Sequence, residues 1–478
     1  MTKKRVVLVT GNFNILHPGH LRLLRFARES GDRLIVGVES DRIAGNAAHV
    51  PEQLRLEGLQ SISLVDEVML IDEPIAGIIL RLRPDIVVKG KEHELLYNPE
   101  LNALEQYGGS LVFSSGETIF SSLDLIRKEF QEFDSRTISL PKEYLARHHI
   151  DKTRLVGLLE SFPRLKICVV GDLIIDEYIT CQPLGMSQED PTIVVTPVDS
   201  IRFIGGAGIV AAHAAGLGAN VEFYAVSGSD ASREYALECL SAAKVNARLL
   251  IDDSRPTTLK QRYRSHGKSL FRVSHLHQGG ISIKLQKQMI ELIEQSIKEV
   301  DLLVFSDFNY GCLPQSLVEQ IINIAKSHGV MLAADSQSSS QTGDIGRFKG
   351  MDLITPTERE ARISTRNRED GLVVLAEQIR QQAIAHNVLL KLGEEGVLIH
   401  AGNAQGGEWL TDRIGALNSS PKDVAGAGDS LLIASAMTLV GGGSIWEAAL
   451  LGSLAAAVQV GRVGNIPLLA EELLGELS

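Results

Sequence analysis

Two continuous apolar runs, each ending in a turn of small or polar residues, constrain this chain more than any other feature. Val6-Val7-Leu8-Val9-Thr10 is apolar without alternation, so it reads as a parallel strand buried on both faces. A helix from about Gly19 to Ser30 and the strand Leu34-Ile35-Val36-Gly37-Val38 complete a βαβ unit. Strand-like runs at 67–71, 85–89 and 110–113, with helical stretches between them, predict a doubly wound sheet. The second run, Lys166-Ile167-Cys168-Val169-Val170-Gly171-Asp172, begins a new domain. Strand-like runs then recur at 221–226, 302–306, 331–335, 353–355 and 388–391. The expected fold class is α/β twice over.

Between these regions the chain changes character. Residues 133–163 are polar, carry Pro141 and Pro163, and hold a helical pattern around Thr153 to Glu160. The expected organisation is a domain over 1–135, a linker with a helix over 136–163, and a domain over 164–478. A chain of 478 residues is too long for one ordinary domain. The net charge of -12 argues against a nucleic-acid partner, because a phosphate backbone needs a basic footprint. Small phosphate ligands need only a few local donors and are not excluded. Cys168, Cys181, Cys239 and Cys312 form no CxxC pair, so they are expected as buried residues in a reducing compartment. No apolar run reaches membrane-spanning length, and Val6 to Val9 is too short for a signal-peptide core. A cytoplasmic protein without a membrane partner is expected.

After the first strand comes Gly11-Asn12-Phe13-Asn14-Ile15-Leu16-His17-Pro18-Gly19-His20. His17 and His20, three apart at a helix entry, can share a face. Gly11 and Gly19 let backbone N–H groups approach a phosphate, and a helix N-terminus favours anions. Two imidazoles beside a triphosphate can stabilise charge on a pentavalent α-phosphorus.

This segment resembles the cytidylyltransferase-like family of nucleotidyltransferases. Within that family it is most similar to the adenylyltransferase half of the bifunctional heptose-7-phosphate kinase/heptose-1-phosphate adenylyltransferases. The likeness runs from about Val6 to Phe130. It includes Gly31 to Val38, Arg55, Pro84 to Gly90 and Phe120-Ser121-Ser122-Leu123-Asp124. It implies a Rossmann-like domain in which Gly11, Phe13, Asn14, Lys89, Ser121 and Ser122 bind nucleotide and His17 and His20 are catalytic. Two positions and one loop depart from the pattern. Asn14 stands for the usual Asp and Glu92 for another Asp. The loop Ala44-Gly45-Asn46-Ala47-Ala48-His49 lacks a Lys and an Arg that would neutralise triphosphate charge. Arg55, Lys89 and Lys91 are the candidate replacements.

Near the other end, Gly426-Ala427-Gly428-Asp429 precedes an apolar helical run. Small residues at a helix start expose backbone N–H groups as an anion hole over Gly426, Ala427 and Gly428. Asp429 there can take a proton from a sugar hydroxyl attacking a γ-phosphate. Asp172 and Asp176 follow the first strand of this region, where carboxylates can bind sugar hydroxyls. Gly205 and Gly206 open a small-residue helix against which substrate can sit. Glu360, after Thr355-Pro356-Thr357, is placed to act on magnesium-bound water.

In this order the motifs resemble the ribokinase-like sugar kinase family, from about Lys166 to Pro467. They are closest to the heptose kinases, through Pro256 to Arg262 and Leu270-Phe271-Arg272. The resemblance implies a ribokinase-like α/β domain, Lys260 and Arg262 at the sugar, Mg2+ and ATP as cofactors, and a homo-oligomer formed through this domain. Departures are Ile209 for a sugar-binding Asn, Thr357 for Asn, Ala425 for Thr, Ser336-Gln337 for Pro-Lys and Tyr310 for Lys. The domain order is the reverse of that in the common bifunctional enzyme.

The expected function is a bifunctional sugar-activating enzyme. One half phosphorylates a sugar phosphate, a heptose 7-phosphate by resemblance. The other joins a sugar 1-phosphate to a nucleotide, giving a product such as ADP-heptose for surface polysaccharide. Two alternatives stay open: a kinase carrying a degenerate nucleotide-binding or regulatory domain, and the same activities on another sugar or with CTP.

Overall fold

The computed structural model describes all residues except 1–4, 15, 17, 91–97, 115–137, 188, 191, 266–267, 339–342, 403–409 and 478. His17, Ser121, Ser122, Lys91 and Glu92 therefore lie outside the described residues. The chain divides into two compact units, Met1–Arg136 and Thr137–Ser478.

The first unit holds five strands, β1 (Val6–Gly11), β2 (Arg33–Glu39), β3 (Glu67–Ile71), β4 (Ile86–Gly90) and β5 (Ser110–Ser114). They form a parallel sheet in the order β3-β2-β1-β4-β5. The uninterrupted apolar run of β1 has a direct cause. Val7 and Val9 enter a core cluster with Leu24 and Val36 on one face, while Leu8 enters another with Ile79 and Val87. Side chains alternate across a strand, so a strand covered on both faces must be apolar at every position. The strand order reverses between β1 and β4, which puts Gly11 at the crevice where open α/β sheets bind ligands.

The second unit continues with β6 (Lys166–Gly171), β7 (Leu173–Met186), β8 (Ile193–Gly206), β9 (Asn220–Ser227), β10 (Asn246–Ile251), β11 (Thr258–Ser265) and β12 (Lys268–His275). It ends with β13 (Leu302–Asp307), β14 (Met331–Ser336), β15 (Leu353–Ile354), β16 (Asn387–Lys391), β17 (Val397–Ala401) and β18 (Leu410–Ile414). Nine strands form the main sheet in the order β10-β9-β6-β13-β14-β15-β16-β17-β18, parallel as far as β16. Four form a second sheet, β12-β11-β7-β8. Again the central strand serves two cores: Ile167 and Val169 of β6 pack with Leu432, while Cys168 and Val170 pack with Phe305. The helices Ala427–Val440 and Ile445–Val460 pack closely through small residues, and Ser435 Oγ donates to the Ala448 carbonyl at 2.9 Å.

The stretch expected as a linker with a helix joins this second unit's core. Its helices are Lys142–Arg147 and Lys152–Ser161, and Tyr144, Leu155, Leu159 and Phe162 are buried in the main cluster. Tyr144 Oη donates to the Trp446 carbonyl at 2.9 Å, and the His148 ring stacks on Trp446 at 4.1 Å. The second sheet was not among the expected strands. β11 reads Thr-Leu-Lys-Gln-Arg-Tyr-Arg-Ser and carries no continuous apolar run to mark it. The four cysteines are free thiols, with Cys168, Cys181 and Cys312 buried. Among the described residues, no helix is long and apolar enough to cross a membrane.

Candidate active site

In the second unit, chemistry-bearing residues gather at the carboxyl ends of the parallel strands. Asp307 ends β13, Asp335 and Ser336 end β14, and Lys391 ends β16. This is where an open α/β sheet leaves its crevice.

The helix Ala427–Val440 starts beside them. Gly426 is its N-cap at φ 76, a left-handed conformation that disfavours any residue with a Cβ, and among the described residues no side chain caps the helix. Backbone N–H groups of the first turn therefore point outward without side-chain acceptors. Asp423 shapes the approach: it accepts from the N–H of Ala425 and of Gly464, both at 3.1 Å, and from Tyr178 Oη at 3.0 Å.

Asp429 is in the first turn and buried. Gln337 Nε2 donates to its Oδ1 at 3.0 Å. Burial, followed by the charge of Asp335, pushes the Asp429 carboxyl up to about 7, although Lys391 pulls the other way. Lys391 Nζ lies 2.7 Å from Asp335 Oδ2. Burial opposes the ammonium charge, but Asp335, Glu360 and Asp429 outweigh it and raise the Lys391 pKa. A Cβ at Gly428 would stand 3.2 Å from Lys391 Nζ, so the ammonium lies under the helix start. Asp335 itself is pushed up to about 6, chiefly by burial.

Asp176 lies on β7, where Gly205 packs against its carboxylate. Its Oδ1 is 3.6 Å from Arg262 Nη2, and its Oδ2 accepts from Asn465 Nδ2 at 3.4 Å. Asn465 Oδ1 is buried without a hydrogen-bond partner among the described residues. It sits against Gly426 at the anion hole. Gly206, at φ 58, ends β8 and turns into the helix Ala207–Gly216, where a Cβ would strike the Asp172 carbonyl. Lys260 Nζ stands over the rings of Phe308 and Tyr310, at 5.1 and 4.9 Å. The geometry thus brings together Asp429, Gly426 to Gly428, Asp176 and Arg262. Gly205 and Gly206 back the site.

Two expected residues are employed differently. Asp172 accepts from the N–H of Phe308 at 2.8 Å, Tyr310 at 3.3 Å and Cys312 at 3.1 Å. It organises that loop, and these three N–H donors engage both of its carboxylate oxygens. Glu360 accepts from Ser338 N at 2.9 Å and Thr357 N at 2.8 Å. With Thr357 it closes a capping box on the helix Glu358–Thr365. Thr357 is therefore a working cap in place of Asn. Ile209 is buried in the core.

Asp335, Lys391, Gln337 and Asn465 were not expected. They come from positions scattered over 130 residues of sequence and carry no motif, although the ends of apolar strands 331–335 and 388–391 marked two of them. Among the described residues no group of three or more His, Cys, Asp or Glu could hold a metal ion. Among the described residues Asp335 Oδ1 is buried without a hydrogen-bond partner, and a carboxylate oxygen so placed fits a magnesium ion carried mainly by phosphates and water.

In the first unit, Phe13 is buried at φ 50 and its ring meets that of His20 at 5.0 Å. Gly11 packs beside the same ring. Asn14 binds the loop expected to lack cations: its Nδ2 donates to the Ala47 carbonyl at 2.7 Å, and its Oδ1 accepts from His49 N at 2.8 Å. An ionised Asp has no donor for the first of these bonds. Arg55 is fully occupied by structure, donating to the Val50 and Asn12 carbonyls at 2.7 Å each and to Asp41 at 2.6 Å. Lys89 forms a 2.8 Å ion pair with Glu100. Lys89, expected to bind nucleotide, is thus already paired with a carboxylate.

Residues 164–471 match the family model for pfkB family carbohydrate kinases, and residues 8–100 match the cytidylyltransferase-like model. The bifunctional protein HldE of Desulfatibacillum aliphaticivorans is 29% identical over 320 residues, 66% of this chain and 64% of that protein. The HldE of Bradyrhizobium diazoefficiens is 30% identical over 324 residues, again 66% and 64%. The match thus spans less than two thirds of these relatives' length. Among solved structures, Arabidopsis thaliana ribokinase complexed with ribose and ATP superposes with a TM-score of 0.52 at 20% identity, over 66% of this chain and 98% of that one. Escherichia coli phosphofructokinase-2 gives 0.53 at 16%, with the same coverage. These likenesses show the fold alone.

Proposed function

The chain belongs to the pfkB family of carbohydrate kinases, and from that premise we propose a sugar-activating enzyme whose second unit phosphorylates a sugar phosphate, a heptose 7-phosphate, at its anomeric hydroxyl. The carrying observation is Asp429, buried in the first turn of an uncapped helix and held near pH 7, with Asp176 and Asn465 beside it. As the sugar oxygen bonds to the γ-phosphorus of ATP, its proton passes to Asp429. The bond from phosphorus to the β-γ bridging oxygen breaks and ADP leaves. The N–H groups at Gly426 to Gly428 and the Lys391 ammonium stabilise the transferred charge. Asp335 would hold a magnesium ion together with the ATP phosphates, and that ion, when bound, would supply neutralisation of phosphate charge. Acceptors on Asp176 and Asn465 suit sugar hydroxyls.

A phosphorylated sugar is favoured by the cations of the second sheet. Arg262 and Arg264 both stand over the Tyr178 ring, at 5.3 and 4.9 Å, and Arg272 is the cross-strand partner of Arg262. Asp176, 3.6 Å from Arg262, offsets part of this positive charge, and the phosphate of a sugar phosphate suits the face as a further anion. Exposed apolar residues on the same sheet, among them Leu184, Met186 and Val198, support a homo-oligomer formed through it.

For the first unit we propose transfer of a nucleotidyl group from ATP to a sugar 1-phosphate, with release of pyrophosphate and formation of a product such as ADP-heptose. His17 and His20 stabilise the transition state, and Gly11, Phe13, Asn14, Ser121 and Ser122 bind the nucleotide. CTP is the alternative donor. The HldE relatives support the pairing of the two activities, here with the transferase domain first. A second reading, that this unit binds nucleotide without transferring it, is favoured by the structural employment of Arg55 and Lys89. Pyrophosphate release by the whole chain with sugar 1-phosphate separates the two. Transfer requires release that His17→Ala or His20→Ala removes while kinase turnover persists. Nucleotide binding without release supports the second reading. Turnover of free sugars in preference to phosphorylated ones contradicts the substrate assigned to the kinase.

A further inference from the structure

Asp429 receives its side-chain hydrogen bond from a neutral amide whose own backbone is pinned on each side. Gln337 N donates to the Asp307 carbonyl at 2.8 Å, and its carbonyl accepts from Asn309 Nδ2 at 3.1 Å. The next residue is tied down as well, Ser338 N donating to Glu360 Oε1 at 2.9 Å. Asp307 is anchored in turn by Ser336 Oγ at 2.8 Å and Arg347 Nη2 at 2.9 Å. The amide is therefore delivered to Asp429 from a rigid strand end, not from a mobile loop tip.

We propose that Gln337 is a positioning residue, its Nε2 holding Asp429 Oδ1 so that Oδ2 is the oxygen presented to the hydroxyl being phosphorylated. The inference rests on the kinase reading given above. A carboxylate turns about its last bond, and only one rotamer aims a lone pair along the line of proton transfer, so a fixed partner on one oxygen selects the other. An amide suits the task in both charge states. It donates to the carboxylate, and its N–H still meets Oδ1 after Oδ2 has taken the proton.

A neutral partner acts on the titration of the base only through its hydrogen bond and adds no charge of its own. The charged groups acting on Asp429 are Asp335 on β14, Lys391 on β16, Asp176 on β7 and Lys260 on β11. Glu360, on the helix Glu358–Thr365, acts on Asp335 and Lys391. Replacing Gln337 by a charged residue would add a fifth charge beside the carboxylate.

The test uses the whole chain with aspartate carboxyls labelled in carbon-13, Asp429→Asn identifying the resonance. Gln337→Met removes the donor at nearly constant length. The Asp429 titration midpoint then rises by about one pH unit, because the ionised form loses its hydrogen bond. The kcat for sugar phosphate falls about tenfold or more, while both KM values stay within about twofold. Gln337→Lys keeps a donor and adds charge, so it retains kcat within about fivefold and moves the midpoint down. Should the Met variant fail to fold, Gln337→Glu serves instead, expected to raise the midpoint and lower kcat. An unmoved midpoint, or a kcat within about twofold of wild type in the Met variant, overturns the proposal. A wild-type chain inactive on every sugar phosphate contradicts the kinase reading instead, while the titration still decides whether Gln337 holds Asp429.

Discussion

The ammonium of Lys391 lies 2.7 Å from Asp335 Oδ2, buried beneath the glycine turn that precedes Asp429. Two buried carboxylates interact with one lysine, and the field of that lysine favours their ionised forms against the effect of burial. Removing the lysine leaves Asp335 buried without its counter-charge. We expect Lys391→Met to lower the stability of the second unit by about 3–5 kcal/mol, with loss of phosphoryl transfer. Adding Asp335→Asn should restore much of the stability but not the turnover. Urea unfolding of the single and double variants measures both effects.

Kinase turnover should carry an acid limb near neutrality. Burial raises the Asp429 pKa to about 7, so the proton-accepting form is populated above that pH and lost as the pH falls through it. The kcat is therefore expected to rise with pH through about 7 and then level. A limb at the ordinary carboxylate value, near about 4, would mean that Asp429 is solvated during turnover or is not the base.

Much of this was legible in the sequence, and the reasons differ by element. β1 and β6 were readable because a strand covered on both faces must be apolar throughout, and Gly426 to Asp429 because an anion-binding helix start needs small residues. The role of Asp172 was not. A carboxylate after a strand suits a ligand and a loop equally, and only the fold brings the N–H groups of 308–312 to it. Gln337 and Lys391 acquire meaning from the adjacency of β14 and β16 to the helix start, a relationship between strands that local sequence does not encode. β11 escaped notice as a strand because its alternating cations leave it no continuous apolar run.

The first unit gives a prediction of its own. Arg55 is fully buried and joins the turn at Asn12 to the loop at Val50 and to Asp41. Arg55→Met should cost that unit about 3 kcal/mol, since three acceptors lose a charged donor. Hydrogen exchange is expected to accelerate over residues 12–14 and 44–52, with kinase kcat unchanged. Unaltered exchange there would remove Arg55 from the structural role assigned to it.

The second sheet exposes Val198 at 66% and Ile201 at 54%. The proposed homo-oligomer would cover this surface. Val198→Glu with Ile201→Glu should shift the chain toward monomer in sedimentation velocity without unfolding it. A wild-type protein already monomeric at high concentration would rule out assembly through this face.

The central claim is that the second unit transfers phosphate to a sugar phosphate with Asp429 as its base. Phosphorus NMR of the whole chain with magnesium, ATP and heptose 7-phosphate tests it most directly. The expected spectrum gains an anomeric sugar phosphate as ATP becomes ADP, and Asp429→Asn slows that conversion by about 10²–10⁴-fold while the chain stays folded. An Asp429→Asn variant that forms the same product at the wild-type rate, or a wild-type chain that hydrolyses ATP and leaves every sugar phosphate unchanged, would contradict the account.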